Sequence, residues 1–349
     1  MKQIEKKALL WMLVLSMLLI GTAGCRKDAK DTQQDPAAEA DQPARWHDNG
    51  IDGIGVVRGN SNGNLYERNK GRAVCDGKDI YYVDQESDPV RICRYNLSTE
   101  ETQVLIELED VNYCLDICFL NLIGTDLYYV DKSFDGDINR IYRLSTEDLS
   151  VQKIGDYSWI RFFLVAYDRL FVAEREGTTI YDLDGIEIKR IDGFIVCGAM
   201  DGVLYGEDRE SNCCVSLDLE GNLVDRYESI RNPIPINGYL VELNNYFGEH
   251  DEYINEITVI NVSNQESTVF EVTQIGCSNY YNVSGNWIYL QNYGLDEMGE
   301  IYRIDWNGNG FSIVDDHVFM QGFALWEDTI LADYVPCDSY NPPWSEWGD

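Results

Sequence analysis

Seven times along the chain a strand-like string recurs: a small or polar residue, an apolar one, an aromatic, an apolar one and an acid. Its clearest copies are Asp79-Ile80-Tyr81-Tyr82-Val83-Asp84 and Asp126-Leu127-Tyr128-Tyr129-Val130-Asp131. Looser copies are Arg169-Leu170-Phe171-Val172, Val203-Leu204-Tyr205-Gly206-Glu207 and Gly238-Tyr239-Leu240-Val241-Glu242, then Asn286-Trp287-Ile288-Tyr289 and Thr329-Ile330-Leu331-Ala332-Asp333. From Ile80 to Ile330 the steps average about 42 residues, a period at which one supersecondary unit stacks on the next. Such a unit cannot bury its apolar face alone, so the repeat points to a single array rather than two unrelated domains.

Each unit carries further strands. A second aromatic or β-branched run follows, as in Arg91–Tyr95, Arg140–Leu144, Thr179–Leu183, Ile257–Ile260 and Glu300–Ile304. Turn residues that accept positive φ come next: Asp184-Gly185, Glu220-Gly221-Asn222 and Asn307-Gly308-Asn309-Gly310. A fourth strand closes the unit, as in Thr102–Ile106, and a first one precedes it, as in Asn279–Val283. Four antiparallel strands repeated radially make an all-β propeller, an arrangement that leaves few exposed edges. Six units are complete, and a seventh stops after two strands near Val335. The Gly53–Val57 run can add a strand to that last unit, so seven blades are expected, with six as the alternative.

Three stretches, Gly59-Asn60-Ser61-Asn62-Gly63-Asn64-Leu65, Asp79-Ile80-Tyr81-Tyr82 and Ile301-Tyr302-Arg303-Ile304-Asp305, resemble the bacterial domain of unknown function 5050. The resemblance covers about Gly59 to Val335. It implies an extracellular propeller similar to the YWTD blades of low-density-lipoprotein receptors, in a Gram-positive envelope. It implies no catalytic residues.

The N-terminus predicts an address. Lys2, Lys6 and Lys7 precede an apolar run from Ala8 to Ala23, too short for a comfortable membrane span but suited to a secretory signal. The run ends in Thr22-Ala23-Gly24-Cys25, which resembles a bacterial lipobox, with Thr22 where Leu or Val is usual. Residues 1–24 thus read as a signal peptide, and Cys25 as the lipidated first residue of the mature protein. Two acyl chains on Cys25 would suffice for stable anchoring at the outer face of the cytoplasmic membrane. Residues 25–45 are nearly free of large apolar side chains and read as a flexible tether. Residues 46–349 hold the propeller, roughly 300 residues and ample for a large core.

The net charge is −34; the signal carries three Lys against Glu5, so the mature chain stands at −36. That field excludes nucleic-acid partners and opposes docking on anionic head groups. Of 10 cysteines, nine remain after Cys25. No Cys-x-x-Cys pair or Cys/His cluster has metal spacing, so buried unpaired thiols are expected. A thiol sensor is a lesser alternative. Cys213 and Cys214 are adjacent and on a strand would face opposite sides.

Four features could carry chemistry. Gly59-Asn60-Ser61-Asn62-Gly63 matches the nucleophile-elbow spacing, but no amphipathic helix follows, so it reads as a looped approach to the first blade. Asp131, Ser133, Asp135 and Gly136 resemble the start of a calcium loop, with Asp137 beside them, yet Tyr142 stands where the bidentate Glu belongs. No other cofactor is expected. Three long connections between second and third strands, Asp131–Arg140, Leu243–Glu256 and Gln291–Glu300, share one face. They carry Phe134, Tyr246, Phe247, Tyr253 and Tyr293 beside Asp131, Asp135, Asp137, Glu249, Asp251, Glu252, Asp296 and Glu297, the composition of a surface that recognises sugars or peptides. The tail Tyr340–Trp347 reads as packing on a blade.

The expectation is a non-enzymatic binding or scaffold propeller for a protein, peptide or glycan. The alternative is a surface hydrolase or lyase acting through carboxylates in the central channel. Metabolic labelling with a lipid analogue should mark the wild-type chain and leave Cys25→Ala unmarked. Equal labelling of both would remove the anchor.

Overall fold

The computed structural model describes residues 59–334, apart from 86, 109–115, 133–137, 249–252, 294–297, 316–318 and 327–328. The first blade comprises β1 (Ala73–Cys75), β2 (Asp79–Asp84), β3 (Val90–Asn96) and β4 (Thr102–Leu108). The second has β5 (Ile117–Ile123), β6 (Asp126–Asp131), β7 (Ile138–Ser145) and β8 (Val151–Ser158). The third has β9 (Phe162–Ala166), β10 (Arg169–Ala173), β11 (Gly177–Asp182) and β12 (Glu187–Asp192). The fourth has β13 (Phe194–Met200), β14 (Val203–Asp208), β15 (Cys213–Asp218) and β16 (Leu223–Tyr227). The fifth has β17 (Ile234–Ile236), β18 (Tyr239–Phe247), β19 (Tyr253–Asn261) and β20 (Ser267–Val272). The sixth has β21 (Cys277–Ser284), β22 (Trp287–Tyr293), β23 (Met298–Asp305) and β24 (Ser312–Asp315). A last sheet holds only β25 (Phe319–Trp326) and β26 (Thr329–Tyr334).

Every sheet is an antiparallel meander in chain order. The expected seven blades are therefore corrected to six four-stranded blades. The repeat period counts the string at Thr329–Asp333 as a whole unit, but among the described residues only β25 pairs with it. The Gly53–Val57 run lies outside the described residues. β25 lies against β21 of the sixth blade and β1 of the first.

Burial falls from the axis outward, and the sequence follows it. Innermost strands face neighbours on both sides and read as continuous apolar runs: all residues of β9 (Phe162–Ala166) and β13 (Phe194–Met200) are buried. Outermost strands are polar and exposed, as in Glu187–Asp192. The cores lie between blades. Tyr81, Ile92, Leu120 and Tyr129 fill the gap between the first and second. Val241, Ile257, Tyr281 and Ile288 fill that between the fifth and sixth. Each such side chain contributes about 1.5–3 kcal/mol on burial. Cys213 joins the core through blades two to four, and Cys214 the core between blades four and five, on opposite faces of β15 as expected.

Among the described residues Cys93, Cys118, Cys197, Cys213 and Cys214 are buried free thiols. Burial pushes the Cys118 thiol up to about 12 and raises Cys197 and Cys214, so these thiols stay protonated.

The lower turns repeat one device. The Asx residue ending the third strand accepts backbone N–H bonds from the turn it begins: Asn96 from Ser98 and Thr99, Asp182 from Asp184 and Ile186, Asp305 from Asn307 and Asn309.

The channel is occupied by the segment from Gly59 to Gly71. It contains a one-turn helix, α1 (Asn62–Leu65), capped by Ser61, whose Oγ accepts from Asn64 N at 2.9 Å. The nucleophile-elbow match is thus a buried helix cap, and the looped approach expected there is a helical plug. Its asparagines reach outward like spokes. Asn60 Nδ2 donates to Ala73 O of β1 and Leu120 O of β5, both at 2.8 Å. Asn62 Nδ2 donates to Ala199 O of β13 and Pro235 O of β17, and its Oδ1 accepts from Ala199 N. Asn64 donates to Leu325 O of β25 and accepts from Leu325 N and Asn282 Nδ2. Asn69 Nδ2 donates to Tyr281 O of β21 at 2.7 Å. Gly63 is required by the close approach of β21, since a Cβ there would overlap Asn282 Oδ1.

Asn64→Ala strands the Leu325 N–H and O and one donor of Asn282 in a dry site. Each such group costs about 1–3 kcal/mol. Chemical denaturation should therefore show a loss of about 3 kcal/mol or more; a loss below 1 kcal/mol would mean the hub is not holding the ring.

Candidate binding face

Hairpins between second and third strands, and the connections from blade to blade, emerge on the same face, here called upper. The reading of three long loops there is partly corrected. Asn, Tyr and Phe continue the strand pairing, so β18 and β19 stay in register up to the pair Phe247 and Tyr253. Tyr246, Phe247 and Tyr253 therefore stand on a projecting hairpin rather than a loop. The Phe247 ring lies 4.4 Å from that of Tyr253, tilted by 40°, and Phe247 remains 64% exposed. Tyr246 is also exposed; its hydroxyl donates to Glu271 Oε1 at 3.1 Å. Tyr293 ends β22 in register with Met298. Phe134, Asp135, Asp137, Glu249, Asp251, Glu252, Asp296, Glu297 and Cys25 lie outside the described residues.

Asp131 is buried at the end of β6 rather than free on a loop, and Arg140 Nη1 is 3.5 Å from its Oδ2. Its side chain is thus directed to a guanidinium. Among the described residues no group of three or more carboxylate, Cys or His side chains is arranged to hold a metal.

The same position in later blades explains why acids recur there: each pins a connection between blades. Glu174 Oε1 accepts from Ser158 N and Oγ at 3.1 and 3.0 Å. Glu207 accepts from Arg231 Nη2 at 2.6 Å. Glu242 Oε1 accepts from the backbone N–H groups of Arg231 and Asn232 at 2.9 and 2.5 Å. Buried asparagines of third strands do the same: Asn139 Oδ1 accepts from Ile160 N and Asn255 Oδ1 from Ser278 N. Asp116, before β5, binds Lys70 Nζ at 3.2 Å and Arg72 Nη2 at 2.8 Å and so ties the plug to the second blade. Burial pushes the Asp116 carboxyl up, but the two cations outweigh it and hold it below the ordinary range.

Two groups were missed by sequence reasoning. Trp159, on the second-to-third connection, is 65% exposed with φ at +40°. Arg161 follows it at the mouth of the channel, beside Tyr66, whose hydroxyl burial pushes up to about 12. The only signal in the sequence was an aromatic and a cation placed between strands, which the strand repeat passes over.

No family model matches the chain, and no curated protein matches it. Among solved structures, a puromycin hydrolase aligns with a TM-score of 0.50 at 10% identity, over 70% of this chain and 44% of that one. The β-propeller domain of the Trilobed protease from Pyrococcus furiosus aligns at 0.48 and 14% identity, over 71% and 84%. A chain of a nidogen/laminin complex aligns at 0.39 and 12% identity, over 68% and 96%. These likenesses concern the fold. The chain is a β-propeller protein of four-stranded antiparallel blades with a plugged channel.

Asp116→Asn removes a charge that both Lys70 and Arg72 use. The folded pKa is depressed, so the stabilisation is complete above the unfolded value of about 3.9 and is lost as pH falls through the folded value. Wild type should exceed the variant by about 1–3 kcal/mol at pH 7, with the gap closing below pH ~4. A gap that is constant with pH would rule the ion pairs out.

Proposed function

We propose that the chain is an extracytoplasmic lipoprotein, held by lipid on Cys25, whose propeller binds a protein, peptide or glycan on its upper face without catalysing a reaction. Kinship to the domain of unknown function 5050 and a tether over residues 25–45 belong to the same reading. The observation that supports it most is the hub. The alternative, a hydrolase or lyase using channel carboxylates, needs an open channel with two acids; here neutral asparagines fill that place and bond to backbone. Glu174, Glu207 and Glu242 of the upper face are engaged in pinning connections, while Trp159, Tyr246 and Phe247 remain exposed.

Thermal shift of the full chain against envelope glycans and peptides, with and without calcium, tests this. A ligand at about 100 times its Kd adds about 2.7 kcal/mol, a rise of several degrees. Phe247→Ala should melt near wild type and lose the rise. Unfolding of Phe247→Ala would make that residue core, and turnover of the ligand would restore the enzyme. A shift with calcium alone would bring Asp131, Asp135 and Asp137 back as a cation site.

A further inference from the structure

Nearly the same string folds into β2 and β6, yet the two copies are covered unequally. In β6 the residues that face the preceding blade, Leu127 and Tyr129, are fully buried in one cluster with Val74, Tyr81 and Ile92 of the first blade. Their counterparts in β2, Ile80 and Tyr82, are only half-buried. So is Tyr95 of β3, which pairs with Ile80 on the same face. The neighbour on that side is the last sheet, whose outermost described strand is β26. The blades themselves are four strands deep, so among the described residues no strand stands across from the outer half of the first blade.

The sixth blade shows the same lack from the other side. Arg143 of β7 and Arg303 of β23 hold equivalent places in their blades. Arg143 lies 2.7 Å from Asp126 of its own blade and 3.5 Å from Asp184, in the last turn of the next one. Arg303 stacks over the Trp287 ring at 4.4 Å. Among the described residues it makes no hydrogen bond or ion pair, and its Nε is buried without a partner. Acids outnumber Lys and Arg by 61 to 27 in this chain, so an unclaimed guanidinium marks a place that an acid is missing from. The two walls define a notch, with half-covered aromatic rings on one side and an unpaired cation on the other.

We propose that residues 335–349 fold back into this notch. They continue directly from Tyr334, the last residue of β26. Ten residues of extended chain reach about 35 Å, whereas two further strand positions lie within about 10 Å of β26. Val57, by contrast, stands two residues, about 7 Å of chain, from Gly59, whose carbonyl is bonded to Leu122 of the second blade. The tail also matches the walls chemically. Pro342-Pro343 favours a polyproline II course, and three residues per turn put Trp344 and Trp347 on one side and Glu346 on another. The indoles lie on Ile80, Tyr82 and Tyr95, and Glu346 takes the Arg303 guanidinium. Pro336, Pro342 and Pro343 have no N–H to give to a ladder. The tail therefore covers the walls with side chains, and the four-stranded blades remain six.

Hydroxyl-radical footprinting of the full chain, read residue by residue, tests this. Trp344 and Trp347 should be oxidised at least fivefold more slowly than the exposed Trp159. Replacing both by Ser should raise the oxidation of Tyr82 and Tyr95 at least threefold and leave Tyr129, their covered counterpart, unchanged. Arg303→Gln should raise oxidation of the two tryptophans at least twofold, and Glu346→Gln should add nothing to it. Should the double Ser variant unfold, Tyr129 is oxidised too, and Arg303→Gln, which removes no hydrogen bond among the described residues, decides. Tryptophans as reactive as Trp159 overturn the proposal, as does a notch that the Ser substitutions leave unchanged in a folded chain. Protection that disappears on dilution would assign the notch to the tail of a second copy. Exposure of Tyr82 by Ile54→Ser and Val56→Ser instead would assign it to the segment before Gly59. Either result overturns the proposal.

Discussion

The ring depends on backbone groups at its axis finding partners. Inner strands of a radial array cannot pair with one another across the channel, so their free N–H and C=O groups face inward. Left dry and unpaired, each would cost as much as a hydrogen bond is worth, several times over around the circle. Four asparagines of one short segment answer this with side chains that both donate and accept. They reach carbonyls of β1, β5, β13, β17, β21 and β25. The third blade is joined indirectly, through Asn121 of β5, which accepts from Val165 N. A single turn of helix that would be unstable alone therefore becomes the element through which the blades are mutually fixed.

Filling the axis moves the chemistry outward. With the channel taken, what remains is the upper rim, and there the acids are already in use. Glu174, Glu207 and Glu242 each bind the connection leading into or out of a neighbouring blade. This makes the rim rigid, and a rigid rim is what allows Trp159 to keep a strained backbone and Phe247 to stand exposed on a projecting hairpin. Exposed aromatics on fixed backbone lose little entropy when a partner covers them, which is why such residues anchor interfaces.

The strands were legible because each reads its own local environment. Phe194–Met200 is apolar throughout because both its faces are covered, and Glu187–Asp192 is mostly charged because it is largely exposed, with Ile191 alone of its side chains packed on the core. The turns were legible too, since Asn96, Asp182 and Asp305 bond to amides only two to four residues on. The hub was not. Asn60, Asn62 and Asn64 look like an irregular lead-in because their partners lie as far as 261 residues away. Hairpin length was misread for a related reason: the Leu243–Glu256 stretch is polar enough for a loop, yet its backbone goes on pairing to Phe247 and Tyr253. The seventh blade failed on pairing as well: one strand string marks a unit only when three partners join it, and among the described residues one joins this string. Arg161 carried no pattern at all, because the acids near it, Glu67 and Glu207, come from distant parts of the chain.

The large negative charge takes on a different sense once the ion pairs are placed. Acids outnumber Lys and Arg by 61 to 27, so a cation on this surface is normally claimed by a close carboxylate. Arg143 sits 2.7 Å from Asp126, Arg72 2.8 Å from Asp116 and Arg190 2.7 Å from Asp192. Surface pairs of this kind add little stability, but they consume donors. Arg161 departs from that rule at a position whose backbone is bonded on both sides. Its two acids stand at 3.6 and 3.9 Å. Excess acid elsewhere works in favour of selectivity: at physiological ionic strength its field reaches about 8 Å, so it disfavours polyanions at the rim and favours neutral or basic partners.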